Sequence, residues 1–166
     1  HELGRPAINA VVLDIGGVLF QDADPVANSE IYQPIPGMDS VVRSLVNNPD
    51  IKVYVLSDII QPLKGIVLDR LHAFYPRLDL SKVIFSCDIT ALKKDPEGLA
   101  FKKLLAIAGI TDPRSVLLID DLEGNTTNAR AFANMRGLTF RGNKYENLSA
   151  TQRVAKELAI AGIVDR

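Results

Sequence analysis

Acidic and hydroxyl side chains close several of the apolar stretches in this 166-residue sequence. They are Asp14, Ser57, Asp58, Asp88, Asp120 and Asp121. Carboxylates can attack an electrophile or hold a hard cation such as Mg²⁺, and a hydroxyl can donate a hydrogen bond to an anion. If the apolar stretches are neighbouring strands, these side chains meet in one polar site.

Four apolar runs rich in β-branched residues are predicted to be the strands that position these groups. They cover residues 10–14, 52–58, 82–88 and 115–121. Runs that are apolar throughout indicate strands buried on both faces, as in a parallel sheet covered by helices. In such sheets the ligand site lies outside the carboxyl ends of the strands. The polar residues above all fall there.

Helical patterns separate the predicted strands, at residues 36–48, 59–75, 95–109 and 124–137, with a last one near 147–161. In the third of them Asp95 and Pro96 favour a helix start and Gly109 favours its end. Alternating strands and helices predict an α/β fold with a doubly wound parallel sheet of Rossmann-like type, in three layers. We expect one domain over residues 1–166.

The composition narrows the classes of partner. Lysine plus arginine number 19 and aspartate plus glutamate 20, which gives a formal net charge of −1 at pH 7. This charge gives no reason to expect nucleic acid or an anionic membrane as the main partner. No apolar run reaches the roughly 18 residues that a membrane span needs. The single cysteine, Cys87, excludes an internal disulfide and suits a reducing compartment. These features predict a cytoplasmic protein.

The polar residues stand in an order that resembles the four motifs of the haloacid dehalogenase superfamily. "DIGGVLF" from Asp14 is similar to the first motif and "VYVLSD" to the second. "KKDPEGLAFKKLL" from Lys93 is similar to the third, and "VLLIDDLEGNTTNA", which includes Asn125, to the fourth. The resemblance covers roughly residues 8–142. A response-regulator receiver domain fits less well, because its acidic pair comes first in the chain.

The resemblance implies a Mg²⁺-dependent phosphatase that forms an aspartyl-phosphate. Asp14 would be the nucleophile, and Ser57, Asp58 and Lys93 would bind the substrate, with Ser57 and Lys93 also assisting catalysis. The implied metal ligands are Asp14, the carbonyl of Gly16 and Asp121, with Asp120 beside them. Lys93 is preferred to Lys94 because Lys94 stands where the family often has proline.

Each of these residues also has a structural interpretation. Gly16 and Gly17 could form only a tight turn, and Asp14 could simply end a strand. Ser57 could cap a strand end, Lys93 could be a solvated lysine, and the Asp pair could cap the next helix. The ordered combination favours the site.

One departure from the family concerns the proton donor. Its phosphatases usually carry a second Asp two residues after the nucleophile, where this chain has Gly16. Asp22 or Asp24 could replace that acid. The chain is therefore predicted to be a phosphomonoesterase, with a catalytically weak or inactive phosphate- or metal-binding module of regulatory role as the alternative.

A second departure concerns size. Only 13 residues separate Phe20 from the "PIPG" turn, and one helix and one strand are predicted between Ser57 and Lys93. We therefore expect no substantial cap domain and an open cleft. Within the family, such members act on large or macromolecular phosphorylated substrates or are closed by another subunit, so an oligomer is one possibility.

Overall fold

The computed structural model describes residues 7–21 and 33–140, which form a five-stranded parallel sheet flanked by helices. The strands are β1 (Ala10–Leu13), β2 (Lys52–Ser57), β3 (Val83–Phe85), β4 (Val116–Asp120) and β5 (Arg136–Thr139). The helices are α1 (Met38–Asn47), α2 (Lys64–Phe74), α3 (Ser86–Ile89), α4 (Leu99–Ala108) and α5 (Glu123–Ala133). The strand order is β3-β2-β1-β4-β5. The predicted α/β doubly wound fold is confirmed.

Two apolar clusters cover the two faces of the sheet and make it the middle of three layers. Alternate residues of β1 divide between them, with Val11 and Leu13 in one cluster and Val12 in the other. The first cluster includes apolar side chains of α1 and α2, and the second includes those of α4 and α5. Because both faces are covered, the strands are apolar throughout. Among the described residues, no helix has the length and apolar character to cross a membrane.

The first prediction that the structure corrects is the end of the third strand. Residues 82–88 were predicted as one strand, but β3 ends at Phe85 and α3 begins at Ser86. The Ser86 hydroxyl accepts a hydrogen bond from the Ile59 amide (3.0 Å) and donates one to the Ile59 carbonyl (3.3 Å). These bonds tie the chain to the loop after β2, and it turns there into a short helix instead of continuing the sheet.

A second difference lies at the start of α4. Asp95 does not cap the helix; its carboxylate accepts a hydrogen bond from the Leu92 amide (2.8 Å) and closes the loop that carries Lys93. A short 3₁₀ turn, Pro96–Gly98, intervenes before the helix. Gly109 ends α4 in the left-handed conformation (φ 66°), as predicted.

The edge strand β5 was not predicted. Its sequence is short and half-buried, and Gly137 interrupts it, so it lacks the apolar run that indicates a buried strand. It pairs with β4, where Asp120 lies opposite Thr139. The helix predicted near 147–161 lies outside the described residues.

The turn after β1 is packed against α2. The amides of Val18, Leu19 and Phe20 all donate to the Ile15 carbonyl. The Phe20 ring packs edge-on against Phe74 and Tyr75, and the Tyr75 hydroxyl donates to the Leu19 carbonyl. These contacts fix the chain that follows Asp14.

The described residues contain no large cap. Phe20 forms an antiparallel bridge with Pro34, and the Gln21 amide donates to the Gln33 carbonyl (2.8 Å). Only residues 22–32 lie between these paired positions, and this segment is too short to form a domain. Between Ser57 and Lys93 the structure has α2, β3 and α3, all of which belong to the core or its edge.

Candidate active site

Asp14 follows β1 at the carboxyl edge of the sheet. Its amide donates to the Ile119 carbonyl of β4 (3.0 Å), which continues the strand pairing through this residue. Its Oδ1 atom accepts a hydrogen bond from the Ile15 amide (2.8 Å). The same atom forms an ion pair with Lys93 Nζ (2.7 Å). Oδ1 is therefore held from two sides, and the orientation of the carboxylate is fixed.

Lys93 forms ion pairs with both Asp14 and Asp120. Its ammonium lies 2.7 Å from Asp14 Oδ1 and 2.8 Å from Asp120 Oδ2, and only 3% of the residue is exposed. Burial lowers the pKa of Lys93, but the two carboxylates outweigh burial and the net pKa is raised. Lys94 is exposed. The geometry therefore places Lys93, and not its neighbour, among the carboxylates.

The backbone of Lys93 is held by two other side chains. Asp58 Oδ1 accepts a hydrogen bond from the Lys93 amide (3.1 Å), and Asn128 Nδ2 donates to the Lys93 carbonyl (2.8 Å). Asn128 also donates to the Asp95 carbonyl (3.2 Å). Loops after β2 and before α4 are thus joined to α5 at the lysine.

Asp120 is fully buried and already surrounded by donors. Its Oδ1 accepts from the Leu122 amide (3.0 Å) and from Asn125 Nδ2 (3.2 Å), and its Oδ2 accepts from Lys93. Three donors on one carboxylate fix its position. Asp120 therefore acts as the anchor of Lys93.

Asp121 lies against the glycine turn. A Cβ atom at Gly17 would lie 2.6 Å from Asp121 Cγ, and Gly17 has a φ of +76°. Both the backbone conformation and the space beside Asp121 therefore require glycine at this position. Gly16 does not have the backbone part of this requirement: among the described glycines, positive φ occurs at Gly17, Gly37, Gly98 and Gly109.

The carboxylates repel one another in this buried setting. The pKa of Asp14 is raised to about 8, chiefly by burial; Asp120 and Asp121 add to the rise, and Lys93 opposes it. Burial also raises the pKa of Asp121, against a hydrogen bond with Asp14. Carboxylates held this close need a proton or a cation between them.

The residues present fit a divalent cation. Asp14, Asp120 and Asp121 each offer one oxygen, and these oxygens lie within 4.8 Å of one another. Mg²⁺ prefers hard oxygen ligands and is usually bound by one or two carboxylates together with water and phosphate. Three carboxylates beside one lysine also leave a negative excess that such an ion would offset.

Ser57 and Gly16 follow or end strands at the same edge of the sheet, without a hydrogen bond to the three clustered carboxylates among the described residues. Ser57 ends β2, the strand next to β1, and is buried. Within residues 7–21 and 33–140, no hydrogen bond engages its hydroxyl. Gly16 is half-buried in the turn and forms a bridge with Phe20. Asp22 and Asp24 lie outside the described residues.

Asp88 is not part of the cluster. It lies in α3, and its carboxylate pairs with Lys64 Nζ (2.6 Å) at a partly exposed position. It was expected at the end of a strand, but β3 ends at Phe85, and Asp88 is not among the three carboxylates that cluster in the described residues.

Asn128 is a site residue that the sequence analysis missed. It follows Asn125 by three residues in α5, so the two amides lie on one face of the helix. Both are directed at residues of the site, Asn125 at Asp120 and Asn128 at the Lys93 carbonyl. Two amides on the inner face of a helix that packs on a sheet are the signal that could have indicated this role.

The chain matches no protein-family model, and no curated protein matches it in sequence. It is similar to the solved structure of a predicted HAD-like family hydrolase from Porphyromonas gingivalis, with 16% identity and a TM-score of 0.62. The similarity covers 91% of this chain and 99% of that one. It is also similar to an uncharacterized protein from Corynebacterium glutamicum (17%, TM-score 0.63), over 96% and 98% of the two chains.

A further similar structure is a HAD family enzyme from Bacteroides thetaiotaomicron in complex with magnesium and inorganic phosphate. Its identity to this chain is 17% and the TM-score is 0.57, over 80% of this chain and 94% of that one. Together with the parallel sheet and the order of the four motifs, these structures show that the chain has the haloacid dehalogenase-like hydrolase fold.

Proposed function

We propose that this protein is a Mg²⁺-dependent phosphomonoesterase that uses Asp14 as its nucleophile. The observation that carries the proposal is the buried Lys93 ammonium, 2.7 Å from Asp14 and 2.8 Å from Asp120. A buried lysine shared by two carboxylates, beside the third carboxylate of Asp121, is an arrangement suited to phosphoryl transfer. The similar enzyme that holds magnesium and phosphate supports this assignment.

The nucleophile is positioned by its own contacts. The Ile15 amide and Lys93 both bond to Oδ1 of Asp14. We therefore assign Oδ1 to orientation and Oδ2 to attack. Oδ2 forms a bond to phosphorus while the ester bond breaks, and the leaving oxygen takes the electron pair. Water then attacks the aspartyl-phosphate at phosphorus, which yields inorganic phosphate and restores the carboxylate.

Two further groups of this chain meet the phosphoryl oxygens. The Ser57 hydroxyl is buried at the end of β2 and can donate a hydrogen bond to one of them. Lys93 supplies positive charge as negative charge redistributes in the transition state. The backbone bonds from Asp58 and Asn128 hold Lys93 in place, so we assign Asp58 to positioning, although it was predicted to bind substrate.

Asp14, Asp121 and the Gly16 carbonyl would hold the Mg²⁺ ion, with Asp120 as the acid beside them. When bound, the ion would offset the repulsion between the carboxylates and a phosphate dianion. Asp120 contributes mainly by holding Lys93, since its oxygens already accept hydrogen bonds from Leu122, Asn125 and Lys93.

The alternative is a catalytically weak or inactive phosphate- or metal-binding module, and Gly16 is the observation that favours it. A positioned acid or base typically contributes about 10²- to 10⁴-fold to a rate. Its loss slows the reaction without removing the nucleophile. The contacts among Asp14, Lys93, Asp120 and Asp121 support an active site, because a module that only binds has no need of a fixed nucleophile.

Covalent trapping separates the two candidates. Acetyl phosphate labelled in its phosphoryl group is mixed with the protein and Mg²⁺, the mixture is quenched with acid, and the labelled peptide is identified. We expect label on the peptide that contains Asp14 and none with Asp14→Asn, while Asp88→Asn serves as the matched control. Turnover by the wild type with equal labelling of Asp14→Asn would overturn the assignment.

A further inference from the structure

Residues 15–20, which directly follow Asp14, form a turn that is closed by its own backbone. The amides of residues 18–20 all donate to the Ile15 carbonyl, and the Gly17 amide donates to the carbonyl at position 20 (2.7 Å). These hydrogen bonds leave the segment little internal freedom. The segment, which we call the nucleophile turn, is therefore positioned as one unit.

The nucleophile turn carries two of the groups that the proposed reaction uses. The Ile15 amide donates to Asp14 Oδ1 (2.8 Å) and so orients the carboxylate. The Gly16 carbonyl is one of the proposed ligands of Mg²⁺. A shift of the whole turn would therefore displace the nucleophile and a metal ligand together.

A buried tyrosine holds this turn from outside. Tyr75 directly follows α2, and its hydroxyl donates to the Leu19 carbonyl, 56 residues away in the chain. Its ring packs edge-on against Phe20, with 5.5 Å between the ring centroids. Because only 2% of Tyr75 is exposed, bulk water does not replace these contacts. One side chain thus gives the turn both a hydrogen bond and a ring contact.

Tyr75 is itself held in place and remains a donor. Its amide donates to the Leu71 carbonyl (2.8 Å), and its carbonyl accepts from the Leu78 amide (3.0 Å). Burial raises the pKa of Tyr75, and the charge of Asp39 adds to the rise, so the hydroxyl keeps its proton. A fixed and permanently protonated donor can position a partner.

The Leu19 carbonyl has a second donor, the Ile35 amide (3.0 Å). Loss of the Tyr75 hydroxyl would therefore leave no buried acceptor without a partner, and the fold would lose little stability. It would remove one of the two hydrogen bonds that hold the Leu19 carbonyl. An effect of Tyr75 on the reaction can thus be separated from its effect on stability.

From these contacts we infer that Tyr75 is a positioning residue, which holds the nucleophile turn so that Asp14 is aligned for attack. The inference rests on the proposed function and adds a residue that acts on the site only through Leu19 and Phe20. Alignment matters because a displacement of about 1 Å can cost about a hundredfold in rate.

Tyr75→Phe tests the inference, since it keeps the ring and removes the hydroxyl. With p-nitrophenyl phosphate and Mg²⁺, we expect kcat to fall about three- to tenfold, as for loss of one hydrogen bond, while KM changes by less than about twofold. Calorimetry without substrate should show weaker Mg²⁺ binding, because the Gly16 carbonyl belongs to the same turn.

Tyr54→Phe is the matched control. Tyr54 is also buried, in β2, but belongs to the apolar cluster on the opposite face of the sheet from Tyr75. It makes no hydrogen bond through its hydroxyl within the described part of the chain. The same chemical change there should leave kcat and Mg²⁺ binding unchanged. Urea denaturation of both variants shows whether a fall in kcat merely follows a loss of stability.

The outcomes separate this inference from the proposed function. Wild-type kcat and Mg²⁺ affinity in Tyr75→Phe would overturn the inference and leave the proposed function in place. An equal fall of kcat in Tyr54→Phe would also overturn it, because loss of any buried hydroxyl would then be sufficient. Absence of Mg²⁺-dependent turnover in the wild type would overturn the proposed function and, with it, the role of Tyr75 in the reaction.

Discussion

Gly17 and Asp121 are in such close contact that no side chain fits between them. A Cβ atom at Gly17 would lie 2.6 Å from Asp121 Cγ, at a residue whose φ is +76°. The second glycine of the first motif is thus required by the acid of the last motif. The contact brings the turn after β1 against the turn after β4. A side chain at position 17 would therefore displace Asp121.

Replacement of Gly17 by alanine tests this contact. We expect Gly17→Ala to lower the free energy of unfolding by about 1–3 kcal/mol, because it adds backbone strain and displaces Asp121. It should also weaken Mg²⁺ binding, measured by calorimetry. Gly124→Ala is the control: nothing lies within 4 Å of its added Cβ in α5, so we expect a gain of about 0.5–1 kcal/mol. Similar stability of the two variants would contradict the contact.

Lys93 and Lys94 separate a buried charge from an exposed one. We expect Lys93→Met to abolish metal-dependent hydrolysis and to destabilise the fold by about 3–5 kcal/mol, since it leaves buried carboxylates uncompensated. Lys94→Met should change stability by less than about 0.5 kcal/mol, because Lys94 is exposed. Urea denaturation and turnover of both variants check this. Loss of activity in Lys94→Met alone would reverse the assignment.

Asn128 is predicted to act through the loop of Lys93. Asn128→Ala removes its hydrogen bonds to the carbonyls of Lys93 and Asp95, and we expect a loss of about 1–3 kcal/mol in stability together with a lower kcat. Asn128→Asp keeps the shape but not the amide donor, so it should show the same loss. If Asn128→Asp behaves as the wild type, the donor role is wrong.

The raised pKa values of the carboxylates predict how stability depends on pH. The folded pKa of Asp14 is about 8, above its usual value of 3.8, and that of Asp121 is also raised. A carboxyl whose pKa rises on folding binds its proton more tightly in the folded state. Because of Asp14, metal-free protein should therefore lose stability as pH rises from about 4 to 8, by up to about 1.4 kcal/mol per pH unit, and the raised pKa of Asp121 acts in the same direction.

Urea denaturation between pH 5 and pH 8 measures this slope. Mg²⁺ should flatten it, because a cation takes the place of the proton, and Asp14→Asn should flatten it without Mg²⁺. A slope that is unaffected by both changes would show that these carboxylates do not carry the pH dependence.

Gly16 is open to a gain-of-function test. Its backbone is not among those with positive φ, so an L-amino acid can occupy the position without the strain expected at Gly17. We expect Gly16→Asp to raise kcat for cyclohexyl phosphate at least about tenfold by supplying a proton donor, while phenyl phosphate gains less. Gly16→Asn is the isosteric control without the acid. An equal gain with Asn would exclude proton transfer as the cause.

The sequence allowed the central strands and the order of the site residues to be predicted, because both depend on local pattern. Runs such as residues 10–14 and 115–121 are apolar throughout, and buried parallel strands need that pattern. The fixed direction of parallel strands then brings Asp14, Ser57 and Asp120 to one edge of the sheet. Lys93 lies on a loop, and local pattern does not assign a loop residue to the site, so only the family resemblance predicted its role.

The features that were missed depend on contacts between distant residues. β5 is half-buried at an edge and has no apolar run. The third strand ends because the Ser86 hydroxyl bonds to the Ile59 backbone, 27 residues away. The amide of Asn128 reaches a carbonyl 35 residues earlier in the chain. Local pattern contains no information about such partners, so the structure was needed to identify them.

The most direct test of the central claim is the hydrolysis of p-nitrophenyl phosphate by wild type and Asp14→Asn, with Mg²⁺ and with a chelator. The account predicts turnover by the wild type that requires Mg²⁺ and is lost in Asp14→Asn, while Asp88→Asn retains it. Circular dichroism should show that all three proteins are folded. Absence of metal-dependent turnover in the folded wild type, or equal turnover by Asp14→Asn, would contradict the assignment of Asp14 as the nucleophile of a phosphatase.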